Sequence, residues 1–557
     1  MNRRQELATG QPRRWTSRRL RSAATVALGL AALLGSTYAG AAVTSAAGAT
    51  STGHAGPSGS VVVDTNRTPL TLDPAVSCGD ESAQIIGGLY SQLTQYGTEP
   101  GPDGTKAIDP SKIVPYVASS WSVSASGLHW TFILKHGLKF PSGRPIDAAA
   151  VKYSINRVYT MDECGTAYIN SGYKTRNILS VAAPSTYVVV FTLARPDSAF
   201  PQVLAQMAGS IVDESVVNQH GGIKANTINT WMQTHDAGGG AYLLSSYQPS
   251  QQVVLVANPA YTLTPAPGAH KLTVNIVTSQ ETLLLQAQSG AANLTLGLTP
   301  ASDTSLKNDA SLEVVADLTP LQEEINFVWK YPPFNNRLFR EALTYAIPYQ
   351  AVLKSVAFGY GKLYYGPVNP EIPGYDAAGS TPRPFDLAKA RQLIKQSGVK
   401  TPVNTTIVVA QGNATEEQIA TIAQGEWKQL GINLQVKTLS PAAFASGIFS
   451  LQYPLNVRLG GPAVLEFGYY TSYDNTCGDA FNVTATCLPA NDALLVRARG
   501  EQNPAQRQAL YDQYTRTWDA ASPKIPVYAS EAVAVLKKGT QGYVYDQNVD
   551  YRRLAAG

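Results

Sequence analysis

The residue types that usually carry catalytic chemistry are sparse in this 557-residue chain. The six histidines show no spacing typical of zinc ligands, and the sequence contains neither a G-x-x-x-x-G-K-[ST] phosphate loop nor the H-E-x-x-H and G-x-S-x-G motifs. The three glycines at 238–240 favour a turn, because no lysine follows them at phosphate-loop spacing. We therefore expect no enzyme, no cofactor and no metal site. A secreted hydrolase built from two dispersed carboxylates is the alternative.

The four cysteines are candidates for disulfide bonds. Cys477 and Cys487 lie ten residues apart in a stretch rich in loop-forming residues. A bond between them would close a short loop and stabilise the fold by roughly 2.5–3 kcal/mol in the chain-entropy picture. Cys78 and Cys164 are the second predicted pair, with two buried thiols as the alternative.

The charge distribution excludes a broad surface for nucleic acids. The net charge is +4, but residues 1–21 hold seven of the 43 basic residues and one of the 39 acidic residues. The rest of the chain therefore carries 36 basic and 38 acidic residues. A body this close to neutrality offers no extended basic face for phosphates, so we expect no nucleic-acid partner.

The N-terminal residues match the pattern of an export signal. Behind the arginines, residues 23–34 are small or apolar and too few to span a bilayer comfortably, and A-x-A cleavage patterns follow at 39–41 and 47–49. The residues SRRL at 17–20 are consistent with the twin-arginine export route, and the general secretory route is the alternative.

These patterns predict a protein located outside the cytoplasm, at the cell surface, in the periplasm or secreted. We expect a cleaved signal and leader over residues 1–49 and a flexible linker over 50–60. Because no cysteine precedes Cys78, we expect no N-terminal lipid anchor.

Alternating strand and helix patterns indicate an α/β fold. Strands are predicted at 129–140, 187–193 and 252–257, and helices at 336–347 and 387–397. The residues TEEQ at 415–418 are interpreted as a capping box that opens a third helix, which ends at Gly431 and is followed by a strand.

Short segments spread over the mature chain carry a resemblance to a known family. They are LDPA at 72–75, IIGGLY at 85–90, VPYVASSW at 114–121, WTFILK at 130–135, FPSGRP at 140–145, DAAAV at 147–151, GGAY at 239–242, NPAY at 258–261 and REALTYAI at 340–347. In this order, over about residues 60–550, the chain resembles the extracellular solute-binding proteins, family 5, of peptide/nickel-type ABC importers, and in particular their dipeptide- and oligopeptide-binding group.

The resemblance implies a two-lobed α/β fold of the periplasmic-binding-protein type II, in its large class, with the ligand cleft between the lobes. Lobe one is expected at 61–320, with an extra subdomain at about 95–230. Lobe two is expected at 321–529, and residues 530–557 return to lobe one.

The resemblance also implies residues that line the cleft. Alignment with ligand-facing stretches of the family selects Val76, Ser77, Ile372, Pro373, Leu459, Gly460 and Gly461. Peptide binders of this family usually hold the ligand's ammonium group with an aspartate shortly after a glycine. Residues 459–467, the cleft segment, contain no aspartate, and Glu466 is their one acid. Glu466 is therefore the candidate partner of a ligand amine.

The function implied is capture of a small solute, with an oligopeptide as the first candidate, and its delivery to the permease subunits of an ABC importer by closure of the lobes. The protein is expected to act as a monomer. A sugar or a metal chelate is the alternative solute, since the aspartate is missing.

Overall fold

The computed structural model describes residues 59–77, 80–170, 173, 175–462, 464–479, 481–547 and 549–557. The predicted signal, leader and most of the linker lie outside these residues, and so does Cys78, so the Cys78–Cys164 bond stays a prediction.

The strands of the described residues are β1 (Ser60–Thr65), β2 (Thr94–Pro100), β3 (Lys106–Pro115), β4 (Ala118–Val123), β5 (His129–Leu134), β6 (Ile178–Ser185), β7 (Val188–Leu193), β8 (Tyr242–Gln248), β9 (Gln252–Ala257), β10 (Lys271–Ile276), β11 (Leu294–Leu296), β12 (Leu312–Phe327), β13 (Gly361–Lys362), β14 (Val403–Ala410), β15 (Ile432–Leu439), β16 (Leu455–Gly460), β17 (Lys524–Lys537) and β18 (Val544–Tyr545).

The α-helices of the same residues are α1 (Asp80–Leu89), α2 (Ala148–Met161), α3 (Cys164–Ile169), α4 (Phe200–Val203), α5 (Glu214–Gln219), α6 (Gln280–Ser289), α7 (Pro300–Leu306), α8 (Arg337–Thr344), α9 (Tyr349–Ser355), α10 (Leu387–Ser397), α11 (Ala414–Lys428), α12 (Pro441–Phe449), α13 (Phe467–Asp474), α14 (Pro489–Gly500) and α15 (Pro504–Ala521). Short 3-10 helices lie at Pro102–Gly104, Met207–Gly209 and Trp231–Gln233.

Two long antiparallel strands, β12 and β17, run through the middle of the largest sheet. Its order is β15-β14-β16-β12-β17-β11-β1-β10-β9-β8, and β13 pairs with β17 off this path. We call the part around β11, β1, β10, β9 and β8 lobe one and the part around β16, β14 and β15 lobe two. Each lobe has its own core, one with Val61 and Leu536 and the other with Ile325 and Val527. The fold is therefore two-lobed, as predicted.

The pairing of β12 with β17 changes register between the two lobes. Residues 312–318 of β12 pair with 531–537, and residues 322–327 pair with 524–529, with an irregularity between Leu318 and Gln322. The Asn369 side-chain amide donates to the carbonyls of Thr319 and Leu321 at 3.1 Å each, which satisfies backbone groups at the break. A second irregularity follows between Glu323 and Glu324, so the strands that join the lobes are interrupted at two neighbouring places.

A four-stranded sheet of order β4-β5-β7-β6 is inserted in the chain between β1 and β8 of lobe one. Its core is aromatic, with Phe132, Phe191 and Phe200 in mutual edge contact. A second sheet of order β18-β3-β2 brings a C-terminal strand beside the same part of the chain. We call residues 93–211 the lobe-one insertion.

Local predictions hold where a cap or a glycine marks the boundary. The strand at 252–257 and the helix at 387–397 are confirmed, and Gly398 ends the helix with φ of +72°. The strand predicted at 129–140 ends at residue 134, because a turn with Gly137 at φ +77° follows.

The capping-box interpretation of residues 415–418 is wrong. Helix α11 begins at Ala414, and its N-cap is Asn413, two residues before Thr415. The Asn413 side chain accepts the Glu416 N–H at 3.2 Å. The Glu416 side chain is therefore not used for capping and points to the sheet.

Candidate ligand cleft

The cleft segment begins at the end of β16 and ends at the first turn of α13. Glu466 is the N-cap of α13, and its Oε2 accepts the Tyr469 N–H at 2.7 Å. Its Oε1 accepts a hydrogen bond from the Tyr511 hydroxyl. Glu466 is 7% exposed, and one of its carboxylate oxygens caps α13 while the other is bound by Tyr511 of α15. Its role as partner of a ligand amine stays a prediction.

Ile372 and Pro373 lie against the same helix end. The Pro373 carbonyl accepts the Phe467 N–H at 3.3 Å, and Ile372 is buried in a cluster with Phe467 and Tyr511. The next residue, Gly374, has φ of +104°, and a Cβ there would lie 2.8 Å from the Phe467 Cβ. Only glycine allows this approach, so the structure brings these predicted residues together with Glu466.

Val76 and Ser77 lie on a turn built on Asp73. The Asp73 carbonyl accepts the N–H groups of both residues at 3.1 and 3.0 Å, and Arg157 binds the buried Asp73 carboxylate. Val76 packs against the aromatic core of the lobe-one insertion, which also contains Val464 of the cleft segment. The turn and the cleft segment therefore share one apolar cluster. The Ser77 side chain on the same turn is buried.

The three residues at the end of β16 face different surroundings. Leu459 pairs with Glu323 and Gly460 with Gln322 across the β12–β16 ladder. The Leu459 side chain is 42% exposed. The Gly461 carbonyl accepts a hydrogen bond from the Tyr473 hydroxyl of α13, which fixes the course of the cleft segment.

A buried group of four charges lies behind the cleft segment. The Lys524 Nζ lies 2.6 Å from Glu324 and 2.5 Å from Asp474, and Arg458 contacts both carboxylates. Burial acts to raise the pKa of Asp474, but Lys524 and Arg458 outweigh it and lower that pKa below its usual value. These residues come from β12, β16, α13 and β17, so no local sequence pattern signals the group.

The two lobes touch directly across the cleft. The Leu465 N–H donates to the hydroxyl of Tyr96 in β2 at 3.2 Å. The Ser198 N–H of the lobe-one insertion donates to the Arg499 carbonyl at 2.9 Å. A cavity beside these contacts, lined by Ile108 and Leu465 among others, measures about 10 Å³, which is room for one water. The arrangement is that of closed lobes.

In the part of the chain that the structure describes, no group of three or more His, Cys, Asp or Glu side chains is placed to hold a metal ion. Nor does any helix of those residues combine the length and the apolar run needed to span a membrane. The predicted Cys477–Cys487 disulfide is confirmed and closes a loop just beyond α13.

Two α/β lobes that are joined by long strands and close on each other define the class of periplasmic-binding-protein-like ligand receptors. The sequence profile of the Bacterial extracellular solute-binding proteins, family 5 Middle, matches residues 112–482. The chain belongs to this family.

Similar proteins align with most of the chain. The probable D,D-dipeptide-binding periplasmic protein DdpA of Escherichia coli K12 is 25% identical over 502 residues, which are 88% of this chain and 92% of DdpA. The glutathione-binding protein GsiB of Salmonella paratyphi A is 26% identical over 87% of this chain and 91% of its own. The fold is shared with the periplasmic binding protein DppA of Helicobacter pylori, solved with the peptide STSA, at a TM-score of 0.75 and 20% identity, covering 89% of this chain and 98% of DppA.

Proposed function

We propose that this protein captures an oligopeptide outside the cytoplasm and delivers it, as a non-catalytic monomer, to the permease of an ABC importer. Membership of the solute-binding family supports capture of a solute. The names of the relatives, which refer to dipeptide and glutathione binding, and the peptide bound in the H. pylori protein support a peptide as that solute.

The observation that carries this proposal is the direct contact of the cleft segment with lobe one. Leu465 is hydrogen-bonded to Tyr96, and Val464 lies in the core of the lobe-one insertion. A cleft segment that belongs to one lobe and contacts the other closes the cleft, and it encloses a solute that is bound between the lobes. Enclosure followed by reopening is what a protein needs in order to carry a solute to a second protein.

The register break in β12 supplies the place where such a motion can occur. We place lobe one at 61–320 and 530–557, with an extra subdomain at about 95–230, and lobe two at 321–529. These boundaries fall at the break between Leu318 and Gln322, where the paired strands lose their regular ladder. A hinge at so few residues leaves the two cores intact as rigid bodies.

We propose that the closed lobes hold the peptide through Val76 and Ser77 from one side and Ile372, Pro373 and residues 459–461 from the other. Backbone hydrogen bonds near the end of β16 would read the peptide main chain and tolerate many side chains. The site is therefore expected to be broad in its choice of peptide.

Native mass spectrometry of the freshly purified protein tests the proposal. We expect a series of bound masses that correspond to short peptides. The same protein, unfolded, dialysed and refolded, is the control and is expected to appear without them. One bound mass that corresponds to a sugar or to a metal chelate would overturn the peptide assignment.

A further inference from the structure

Glu416 lies in the fork where two neighbouring parallel strands separate. β14 and β16 pair through Ile407–Leu455 and Val408–Asn456. Beyond these pairs, the Glu416 Oε2 accepts the Ala410 N–H of β14 at 3.4 Å, and its Oε1 accepts the Leu459 N–H of β16 at 3.3 Å. The carboxylate therefore occupies the gap between the carboxyl ends of the two strands.

The chain leaves these two strand ends on opposite faces of the sheet. After β14 it enters α11, which packs on the face that carries Ile407 and Val409. After β16 it enters α13, whose Tyr470 contacts Gln322 and Glu324 on the other face. Where connections diverge in this way, an open α/β sheet forms a crevice at its carboxyl edge, and such crevices bind ligands.

A second carboxylate lies at the same place. Glu323 is the register partner of Leu459, so their side chains share the face on which α11 and Glu416 lie. Glu323 is 5% exposed, and its Oε2 has no hydrogen-bond partner within the described residues. A buried carboxylate oxygen without a partner is costly and points to a group that arrives from outside.

The charged groups that act on the two carboxylates are either negative or already paired. Burial first, and then Glu416 and Glu324, raise the pKa of Glu323 to about 8. Burial raises the pKa of Glu416 to about 7, against hydrogen bonds from Ala410 and Leu459 and the nearby Arg458, while Glu417 adds to the rise. Arg458 itself is engaged by Asp474 and Glu324.

We propose that Glu323 and Glu416, the glutamate pair, bind the positively charged group, an ammonium or a guanidinium, of the captured solute. The pair lies beside Leu459, where the cleft segment begins, while Glu466 is engaged by Tyr469 and Tyr511. The inference rests on the proposed function only in taking that solute to be a peptide. When the cation binds, the pair gives up a proton to the buffer and becomes the counter-ion.

Calorimetric titration with trialanine and with N-acetyl-trialanine tests this assignment, because acetylation removes the positive charge and leaves the rest of the peptide. For Glu323→Gln and Glu416→Gln we expect the Kd for trialanine to rise at least about tenfold and the Kd for the acetylated peptide to change less than about twofold. Glu417→Gln, which removes the neighbouring charge of α11, is the matched control. Equal losses for both peptides, or no loss for trialanine, would overturn the assignment.

Proton release by the wild-type protein gives a test that needs no variant. The binding enthalpy of trialanine at pH 7, measured in phosphate and in Tris, is expected to differ by the release of about one proton. Equal enthalpies in the two buffers would contradict the inference.

The experiments distinguish an error in the peptide proposal from an error in the assignment of the glutamate pair. If the wild-type protein binds neither peptide, the solute that co-purifies with it decides. An amine- or guanidine-bearing solute that is retained by the wild type and lost from Glu323→Gln supports the glutamate pair. A co-purified solute without a positive group overturns it.

Discussion

Arg499 of α14 and Asp197 of the lobe-one insertion form a buried ion pair, with 3.0 Å between Nη2 and Oδ2, although 302 residues separate them in the chain. Their side chains are 1% and 0% exposed. The Arg499 guanidinium also lies 3.7 Å from the centre of the Tyr173 ring. Because the proposed boundaries place the two charges in opposite lobes, we expect the pair to form on closure and to stabilise the closed state.

Asp197→Asn is therefore expected to weaken ligand binding. The variant leaves Arg499 buried without its counter-charge in the closed state, and breaking a buried pair in this way costs about 3–5 kcal/mol when the charge cannot escape. When the ligand-bound variant reopens, Arg499 returns to solvent and avoids this cost. We therefore expect a loss of binding free energy smaller than that range, seen as a rise in Kd of at least about tenfold.

Calorimetry and small-angle scattering check this expectation. The liganded variant is expected to remain more extended than the liganded wild type. Asp519→Asn is the matched control, because it removes the carboxylate of the Arg383–Asp519 pair, at 2.6 Å, within lobe two. A Kd for Asp197→Asn that equals that of the control would show that the pair does not govern closure.

Glu466→Gln separates a capping role from a ligand role. The amide loses the charge that favours a helix N-terminus and satisfies Tyr469 and Tyr511 less well. We expect the free energy of unfolding to fall by about 1 kcal/mol and the Kd for a peptide to stay within about twofold. Ser440→Ala removes the cap of α12 and is the control for a lost cap elsewhere in lobe two. A tenfold rise in Kd would instead assign the ligand amine to Glu466.

The fold is predictable from sequence where local chemistry marks it. Asp386 accepts the Lys389 N–H at one end of α10 and Gly398 adopts a positive φ at the other, so both boundaries are visible in the sequence. The same reasoning misplaced the start of α11, because Asn413 and Thr415 both have the chemistry of a cap and only the backbone decides between them.

For the site, the sequence predicts only which segment of the chain takes part in it. Residues 459–467 are recognisable because they align with ligand-facing stretches of the solute-binding family. Their partner in lobe one is not, since Tyr96 lies 369 residues before Leu465 in the chain. The glutamate pair is hidden for the same reason, because it depends on which strands are neighbours and on which face each connection leaves.

Removal of the Cys477–Cys487 bond is expected to lower stability and to weaken binding. The loop it closes is ten residues long by sequence separation, which corresponds to about 2.5–3 kcal/mol of chain entropy. The loop continues from α13, whose Tyr473 holds the carbonyl of Gly461, so we also expect the Kd to rise at least about threefold.

The double variant Cys477→Ser, Cys487→Ser, compared with the wild type by chemical denaturation and by calorimetry, measures both effects. Non-reducing peptide mapping of the wild type verifies that the bond is present. An unchanged Kd together with lower stability would confine the bond to a structural role.

Stability of the ligand-free protein is expected to fall between about pH 4.5 and pH 8 because of the glutamate pair. The folded-state pKa values of Glu323 and Glu416, about 8 and about 7, lie above the ordinary value of 4.5. Over this range the unfolded chain has already released protons that the folded protein still holds, so rising pH favours unfolding.

Glu323→Gln removes one of these groups, and its free energy of unfolding should decline less from pH 5 to pH 8 than that of the wild type. Apart from Glu416, whose titration is coupled to that of Glu323, the titrating groups are common to both proteins. Glu417→Gln should stay closer to the wild-type slope than Glu323→Gln does, because the Glu417 charge is the smallest of the contributions given for Glu416. A Glu323→Gln slope parallel to that of the wild type would place the Glu323 carboxylate in contact with solvent or with a cation of the protein itself.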